Sequence, residues 1–375
     1  MTLCVLISFT VFGASAAGED LPFASNAKAV VLMDASTGEI IAAKNEHEKL
    51  YPASVTKIMP LLLFMEALDS GTISLDDTVT CSADAAAKGG SQIWLEEGEQ
   101  MTVDELLRAT AIGSANDACA ALGEHLAGSE EGFVALMNKR AAELSMNDTH
   151  FDNCTGLDDD TDTHLTSAHD VAVMSRELLK HDRITTYTTK WMDSLRNGET
   201  ELVNTNKLVR FYNGTTGLKT GTTSKAGYCV SASAQRDGTH LIAVVLGSDN
   251  SSNRFEEAKT MLNYGFANYE TVTPEIDTTL IVPVRVIKGV EDRIEPQIEA
   301  VGSLTLPKGK IKTVTQDVSM VTDVEAPVEA GQLLGTITLQ SDGKVIGEYK
   351  LTAPQAIKKL SFGHVFRLLI SGLGV

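Results

Sequence analysis

Ser54 and Lys57 stand three residues apart in Leu50-Tyr-Pro-Ala-Ser-Val-Thr-Lys-Ile-Met59, just ahead of an apolar run from Ile58 to Leu68. Residues at i and i+3 share a helix face, so the spacing sets a hydroxyl beside an amine. A serine hydroxyl is a weak nucleophile at neutral pH and needs a base next to it. A lysine amine acts as that base only where desolvation or a second cation lowers its pKa. A place at the start of a helix also offers the Ser54 backbone N–H to a developing oxyanion. Alone, S-x-x-K is a common string, and an exposed helix start accounts for one equally well.

A second stretch, Ala111-Ile-Gly-Ser-Ala-Asn-Asp-Ala-Cys119, lies where one helical pattern ends and another begins. A turn between helices can aim the Ser114 hydroxyl and the Asn116 carboxamide into a cleft. Asn116 can accept from an ammonium and donate to a carbonyl; helix capping is the competing reading. The third stretch is Thr215-Thr-Gly-Leu-Lys-Thr-Gly-Thr-Thr223. Lys219 offers a point charge to a carboxylate, and Thr220 adds a hydroxyl. Gly221 lets another backbone approach without a Cβ. The Thr222 N–H can serve as a second oxyanion donor. A Gly-rich hairpin edge with solvated lysines is the plainer alternative.

The elements around these residues follow from periodicity. Ala29–Met33 and Glu39–Ala43 read as strands joined by the turn Asp34-Ala-Ser-Thr-Gly38. From about Pro52 to Leu195 the texture is mostly helical. Thr102 and Glu105 form a predicted capping box, and Ser167 opens a helix at 168–179. Gly227–Ala234 and Thr239–Gly247 read as strands across an Arg236-Asp237-Gly238 turn, with a closing helix at 253–269. The Lys219-Thr220-Gly221 segment falls just before that strand pair. Pro60 lies inside the helix after Lys57, where it is expected to remove a hydrogen bond and bend the axis. The fold class is therefore α+β: an antiparallel sheet flanked by a helical lobe over residues 24–270. Short strand-like runs at 280–286, 311–314, 332–339 and 344–350, the last two joined by Ser341-Asp-Gly343, predict a small all-β domain over 272–353.

Three weak signals in this order make a strong one. S-x-x-K, S-D-N and K-T-G form the signature of class A β-lactamases and penicillin-binding proteins, and here the middle element is Ser-Ala-Asn. Pro52–Met59, Ser114-Ala-Asn-Asp-Ala118 and Leu218-Lys-Thr-Gly-Thr222 more closely resemble the D-alanyl-D-alanine carboxypeptidases, the low-molecular-mass penicillin-binding proteins. The resemblance extends to Asn153-Cys-Thr-Gly-Leu157 and His164-Leu-Thr-Ser-Ala-His-Asp170, and spans roughly residues 25–268. It implies that Ser54 attacks the terminal D-Ala-D-Ala bond of a peptidoglycan stem peptide and that β-lactams acylate the same serine. It further implies that Lys57 is the base, kept neutral by the charge of Lys219. Ser114 relays a proton to the departing D-alanine, and Asn116 orients Lys57 and the substrate amide. Lys219 and Thr220 hold the carboxylate, Gly221 permits close approach, and the Ser54 and Thr222 N–H groups form the oxyanion hole. His164 is structural in the resemblance. A class A β-lactamase would need Glu-x-x-Leu-Asn between the second and third motifs, and no such string is present. A non-catalytic sensing module on the same scaffold is countered by the presence of both Ser54 and Lys57.

The rest of the chain bounds this reading. It has 375 residues and a formal net charge of −19, which argues against a nucleic-acid partner. Residues 1–17 read as a signal peptide without a basic n-region, so an exported, cell-envelope protein is expected. Residues 355–375 read as a basic, apolar, amphipathic tail, either in peripheral membrane contact or packed on its own domain. Five cysteines offer no CxxC or metal spacing, and Cys119 and Cys229 read as buried thiols. No cofactor and no metal are expected; Asp158-Asp-Asp160 lacks the order of a calcium loop. Trp94 and Trp191 default to core packing, with a substrate groove as the other reading.

Overall fold

The computed structural model describes residues 21–366 apart from residues 22, 160, 364 and 365. The leader at 1–17, with Cys4, and the end of the tail lie outside the described residues. Five strands form the main sheet: β1 (Ala29–Asp34), β2 (Ile40–Lys44), β3 (Thr215–Thr223), β4 (Gly227–Arg236) and β5 (Thr239–Ser248). Their order is β2-β1-β5-β4-β3, antiparallel throughout. The helices that matter for the site are α1 (Ile58–Asp69), α2 (Asn116–Ala127), α3 (Ala168–Leu178) and α4 (Ser251–Asn268).

Strand alternation divides the apolar residues between two cores. Val30 and Leu32 face one side with Val230, Ala243 and the α4 residues Phe255, Met261 and Leu262. Ala29, Val31 and Met33 face the other, with Ile58 and Leu62 of α1 and Val171 and Met174 of α3. The sheet is thus sandwiched between α4 and the helical lobe, because both of its faces are apolar.

The predicted caps are present. Thr102 and Glu105 form a reciprocal capping box, and the Ser167 hydroxyl accepts the Asp170 N–H. Pro60 does not fall in a helix interior. A 3-10 turn, Ala53–Lys57, precedes α1, so Pro60 occupies the first turn of α1, where a missing N–H costs little. The Lys219-Thr220-Gly221 segment is not a loop before the strands: it lies inside β3, the edge strand, with Lys219 opposite Ser231 and Gly221 opposite Cys229. Thr and Gly hide that strand from apolar periodicity, and its burial comes from the lobe laid against it.

Beyond α4, Tyr269–Val272 pairs with Leu304–Pro307, and the chain forms a three-stranded and a four-stranded sheet. Two of the expected strands shift. Residues 278–280 are a 3-10 turn with the strand delayed to Val284–Ile287, after Pro283. Residues 310–313 are another 3-10 turn, behind Gly309 at φ +80°, and the strand follows at Thr315–Met320. The 333–341/344–352 hairpin forms as the turn signal predicts. The β region also continues past 353. Ile357 is 1% exposed in its core, and Val328–Ile357 and Gly289–Lys359 form β-bridges. Residues 355–360 therefore close the β domain instead of opening an amphipathic helix. Among the described residues no helix is long and apolar enough to cross a membrane.

A buried carboxylate joins the two parts. Asp34, with no exposed surface, accepts the Ser36 and Thr37 N–H groups at 2.8 and 3.2 Å on Oδ1 and the Thr271 hydroxyl on Oδ2. Thr37 Oγ1 also lies 2.6 Å from Thr305 Oγ1. Asp34→Ala leaves three donors without an acceptor, so it should cost about 2–3 kcal/mol of stability. The midpoint of urea unfolding should fall accordingly; an unchanged midpoint would mean the join depends on something else.

Candidate active site

The 3-10 geometry of Ala53–Lys57 decides the first contact. In such a turn residues i and i+3 eclipse, and Lys57 Nζ lies 3.1 Å from Ser54 Oγ. Lys57 has no exposed surface. Its Nζ donates to Asn116 Oδ1 at 2.5 Å and to the Thr155 carbonyl at 2.8 Å. A neutral amine has two N–H donors and one lone pair. Here both donors are used, and the lone pair is left facing the serine hydroxyl.

Burial pushes the Lys57 amine down to about 8, while the Asp117 carboxylate pulls the other way. The resemblance implies that the charge of Lys219 causes that depression; in the unliganded protein desolvation is the cause that lowers it. Repulsion between the two amines falls on Lys219 instead. Lys219 is 1% exposed, and its amine is pushed well below the ordinary lysine range by burial first and by Lys57 and Arg254 next. Lys219 Nζ donates to Ser114 Oγ at 2.8 Å and to the Thr220 carbonyl at 2.9 Å. Neither lysine has an ion pair with any described residue.

Neither Ser114 nor Asn116 is the N-cap of α2. The residue capping α2 is Ala115, without a side-chain bond. Ser114 sits at φ +63° after a π-helical turn, which swings its hydroxyl to Lys219. Asn116 faces Lys57 through Oδ1 and donates through Nδ2 to the Gly89 carbonyl at 2.6 Å. Gly90, at φ +77°, packs so closely that an added Cβ would lie 2.7 Å from Asn116 Nδ2.

Edge strand β3 supplies the opposite wall. The Thr220 hydroxyl donates to Thr205 Oγ1 at 2.8 Å. A Cβ on Gly221 would lie 2.8 Å from the Ser54 nitrogen and from the Pro52 carbonyl, so only glycine lets this strand approach the turn. Thr222 follows at the same edge, its hydroxyl donating to the Gly221 carbonyl at 2.7 Å. All eight residues singled out in the sequence thus line one cleft between the helical lobe and β3.

Other participants left little trace in the sequence. Thr155 contributes only a backbone carbonyl. Gly156, at φ +86°, fits where a Cβ would lie 1.9 Å from the Ala53 carbonyl and 2.7 Å from Thr56 Oγ1. His164 fixes the same joint. Its Nδ1 accepts the Asp152 N–H at 3.0 Å, so the proton is on Nε2, which donates to Thr56 Oγ1 at 2.8 Å. Burial pushes His164 down to about 4, and with both nitrogens engaged it is no base. Arg254, on α4, is 7% exposed and donates through Nη1 to the Gly221 carbonyl, Thr222 Oγ1 and the Cys229 carbonyl at 2.9, 3.0 and 3.2 Å. Its Nε has no partner among the described residues. Lys57, Lys219 and Arg254 thus gather here with no paired carboxylate among the described residues, an arrangement suited to an anionic ligand.

Cys81, Cys119, Cys154 and Cys229 are free, buried thiols. Asp158 accepts the Thr223 hydroxyl at 2.5 Å and anchors the end of β3. Among the described residues no group of three or more His, Cys, Asp or Glu could hold a metal ion.

Comparison with known proteins gives this arrangement a context. A family model described as D-alanyl-D-alanine carboxypeptidase matches residues 14–250, and one described as penicillin-binding protein 5, C-terminal domain, matches 269–359. D-alanyl-D-alanine carboxypeptidase DacF of Bacillus subtilis is 43% identical over 343 residues, 90% of this chain and 88% of that protein. DacC of Escherichia coli is 35% identical over 345 residues, 90% of this chain and 86% of that protein. Penicillin-binding protein 5 of Haemophilus influenzae superposes with a TM-score of 0.81 at 31% identity, covering 91% of this chain and all of that one. With both parts matched in order, and relatives above 30% identity along most of its length, the chain belongs to the D-alanyl-D-alanine carboxypeptidase family.

Proposed function

We propose that the protein is an exported serine carboxypeptidase that removes the terminal D-alanine from peptidoglycan stem peptides ending in D-Ala-D-Ala. The observation that carries this reading is Lys57: a buried amine with both donors occupied, 3.1 Å from Ser54 Oγ. The substrate ends in a carboxylate, and the cleft offers Lys219, Thr220 and Arg254 for it. That carboxylate supplies the counter-charge Lys219 lacks, which favours its ammonium form. The charged Lys219 then repels a proton from Lys57 and keeps it a free base.

Ser54 Oγ attacks the carbonyl carbon of the scissile bond as its proton passes to Lys57 Nζ. The oxyanion is held by the Ser54 and Thr222 N–H groups, which the missing Cβ of Gly221 allows to come together. The C–N bond then breaks. Ser114, hydrogen-bonded to Lys219, relays to the leaving amine the proton that Lys57 took from Ser54, which leaves Lys57 neutral again. Asn116 keeps Lys57 aimed and is available to the substrate amide. Water hydrolyses the ester with Lys57 again the base, and D-alanine and the shortened peptide leave. β-lactams acylate Ser54 by the same attack; related structures include penicillin-binding protein D2 of Listeria monocytogenes in an ampicillin-bound form. Residues 1–17 are proposed to be the export leader, and the end of the tail to contact the membrane surface peripherally.

A β-lactamase would turn over penicillin instead of retaining it. A sensing module would be acylated without releasing D-alanine. With a pentapeptide ending in D-Ala-D-Ala, the wild type should release D-alanine, and Ser54→Ala should abolish both release and labelling by a fluorescent penicillin. Lys57→Ala should lower the acylation rate by at least about a hundredfold; an unchanged rate would refute its role as base.

The pH dependence has a definite sign. Lys57 must be neutral to accept the proton, so kcat/KM should rise with pH through a midpoint near 8. In the complex the charged Lys219 disfavours a protonated Lys57, so the midpoint in kcat should lie lower. Steady-state kinetics from pH 5 to 10 checks both, and equal midpoints would contradict the coupling.

A further inference from the structure

Trp94 is 77% exposed, the most exposed large apolar side chain in residues 21–270 among those described. The loop that carries it is not loose. The buried Asp117 carboxylate accepts the Ile93 N–H at 3.1 Å and the Leu95 N–H at 3.0 Å. Ile93 and Leu95 themselves turn inward, at 4% and 5% exposure. Arg196 Nη1 donates to the Ile93 carbonyl at 2.9 Å, while its Nε and Nη2 hold both oxygens of Glu99 at 2.7 and 3.0 Å. Between these fixed points Trp94 adopts φ +60°, a left-handed conformation uncommon for a bulky residue. The indole is therefore presented to solvent by a rigid frame.

The ring borders a recess of about 480 Å³ lined by Glu96, Glu97, Gly98, Glu99 and Arg196. Glu96 and Glu97 are exposed and carry no ion pair with any described residue. A flat indole face packs against the C–H face of a pyranose ring, and carboxylates accept its hydroxyl and amide protons. The loop is also tied to the catalytic residues. The Asn116 N–H donates to the Ser91 carbonyl at 2.7 Å, and Asp117, which clamps the loop, follows Asn116 directly. Three residues, at most about 11 Å of chain, separate Ser91 from Trp94. A five-residue stem peptide spans at most about 17 Å from its scissile end to the sugar that bears it. A sugar at that distance from the cleft is within reach of the loop.

We infer that Trp94, with Glu96 and Glu97, forms a subsite for an N-acetylated amino sugar of the glycan strand to which the stem peptide is attached. The subsite makes the enzyme prefer glycan-borne over free peptide. This rests on the carboxypeptidase reading, and free peptide serves as its control. D-alanine release is measured from a free pentapeptide and from the same pentapeptide on a glycan fragment, with wild type, Trp94→Ala and Trp94→Phe. Trp94→Ala should lower kcat/KM on the glycan-borne substrate about tenfold, mainly through KM, and leave the free peptide within about twofold. Trp94→Phe should recover part of the loss. Equal losses on both substrates would make Trp94 a support of the cleft or a contact for the peptide, and no loss would make it idle; each overturns the subsite. Absence of release by wild type from either substrate would instead contradict the carboxypeptidase reading itself. Trp191→Phe leaves Trp94 as the sole tryptophan of the two. Its fluorescence should then respond to peptide-free glycan fragments. A response only to a free amine such as lysine would overturn the sugar assignment in favour of a cation over the ring.

Discussion

The whole structure depends on keeping one amine out of water without a counter-ion. A lysine with no exposed surface and no carboxylate partner among the described residues is costly as an ammonium, so burial pushes its amine down to about 8 and brings the neutral form within reach near neutral pH. That form is the one a serine needs beside it. Every element near Ser54 serves this condition: the 3-10 turn eclipses the pair, α2 delivers Asn116, and the loop at 153–157 delivers the Thr155 carbonyl. The two acceptors also fix the direction of the remaining lone pair, so the protein sets protonation state and geometry with the same contacts.

The joint between the turn and that loop shows how narrow the tolerance is. Gly156 and Gly221 both sit where a Cβ would press on the Ser54 segment, one from the loop side and one from β3. His164 closes the joint as a neutral hydrogen-bond bridge between Thr56 and Asp152. On the opposite wall, Lys219 and Arg254 lie under the same strand edge, and neither is paired. The cleft is thus built around two unmet needs, a proton acceptor facing a hydroxyl and cations lacking an anion, and a peptide ending in a carboxylate answers both.

Much of this was legible in the sequence because chemistry-bearing residues occur as short strings at the ends of elements. Ser54 with Lys57, Ser114 with Asn116, and Lys219 through Thr222 could each be explained away singly, and only their order made them a site. The sheet was legible at Ala29–Asp34, Gly227–Arg236 and Thr239–Ser248, whose apolar residues are unbroken or alternate. Strand β3 was not, since threonine and glycine carry no such pattern and its burial is tertiary. Thr155 lay in a string that the resemblance covered, but its role was hidden because it acts through its backbone, and Arg254 was missed because nothing near it in sequence marks its place under β3. For Trp94 core packing was the default on residue type, with a substrate groove as the other reading; Asp117, twenty-three positions away, turns it outward. For the Lys57 pKa depression the sequence offered both desolvation and a second cation, and could not weigh them because burial is a tertiary property.

The central claim is that burial, in the absence of any ligand, makes Lys57 a base near neutral pH. Its direct test is nuclear magnetic resonance titration of the unliganded protein with ¹³C-labelled lysine, the Lys57 signal being identified by its loss in Lys57→Met. The account predicts a midpoint near 8, well apart from the surface lysines. A midpoint at the ordinary lysine value of about 10.4 in the folded protein would contradict it.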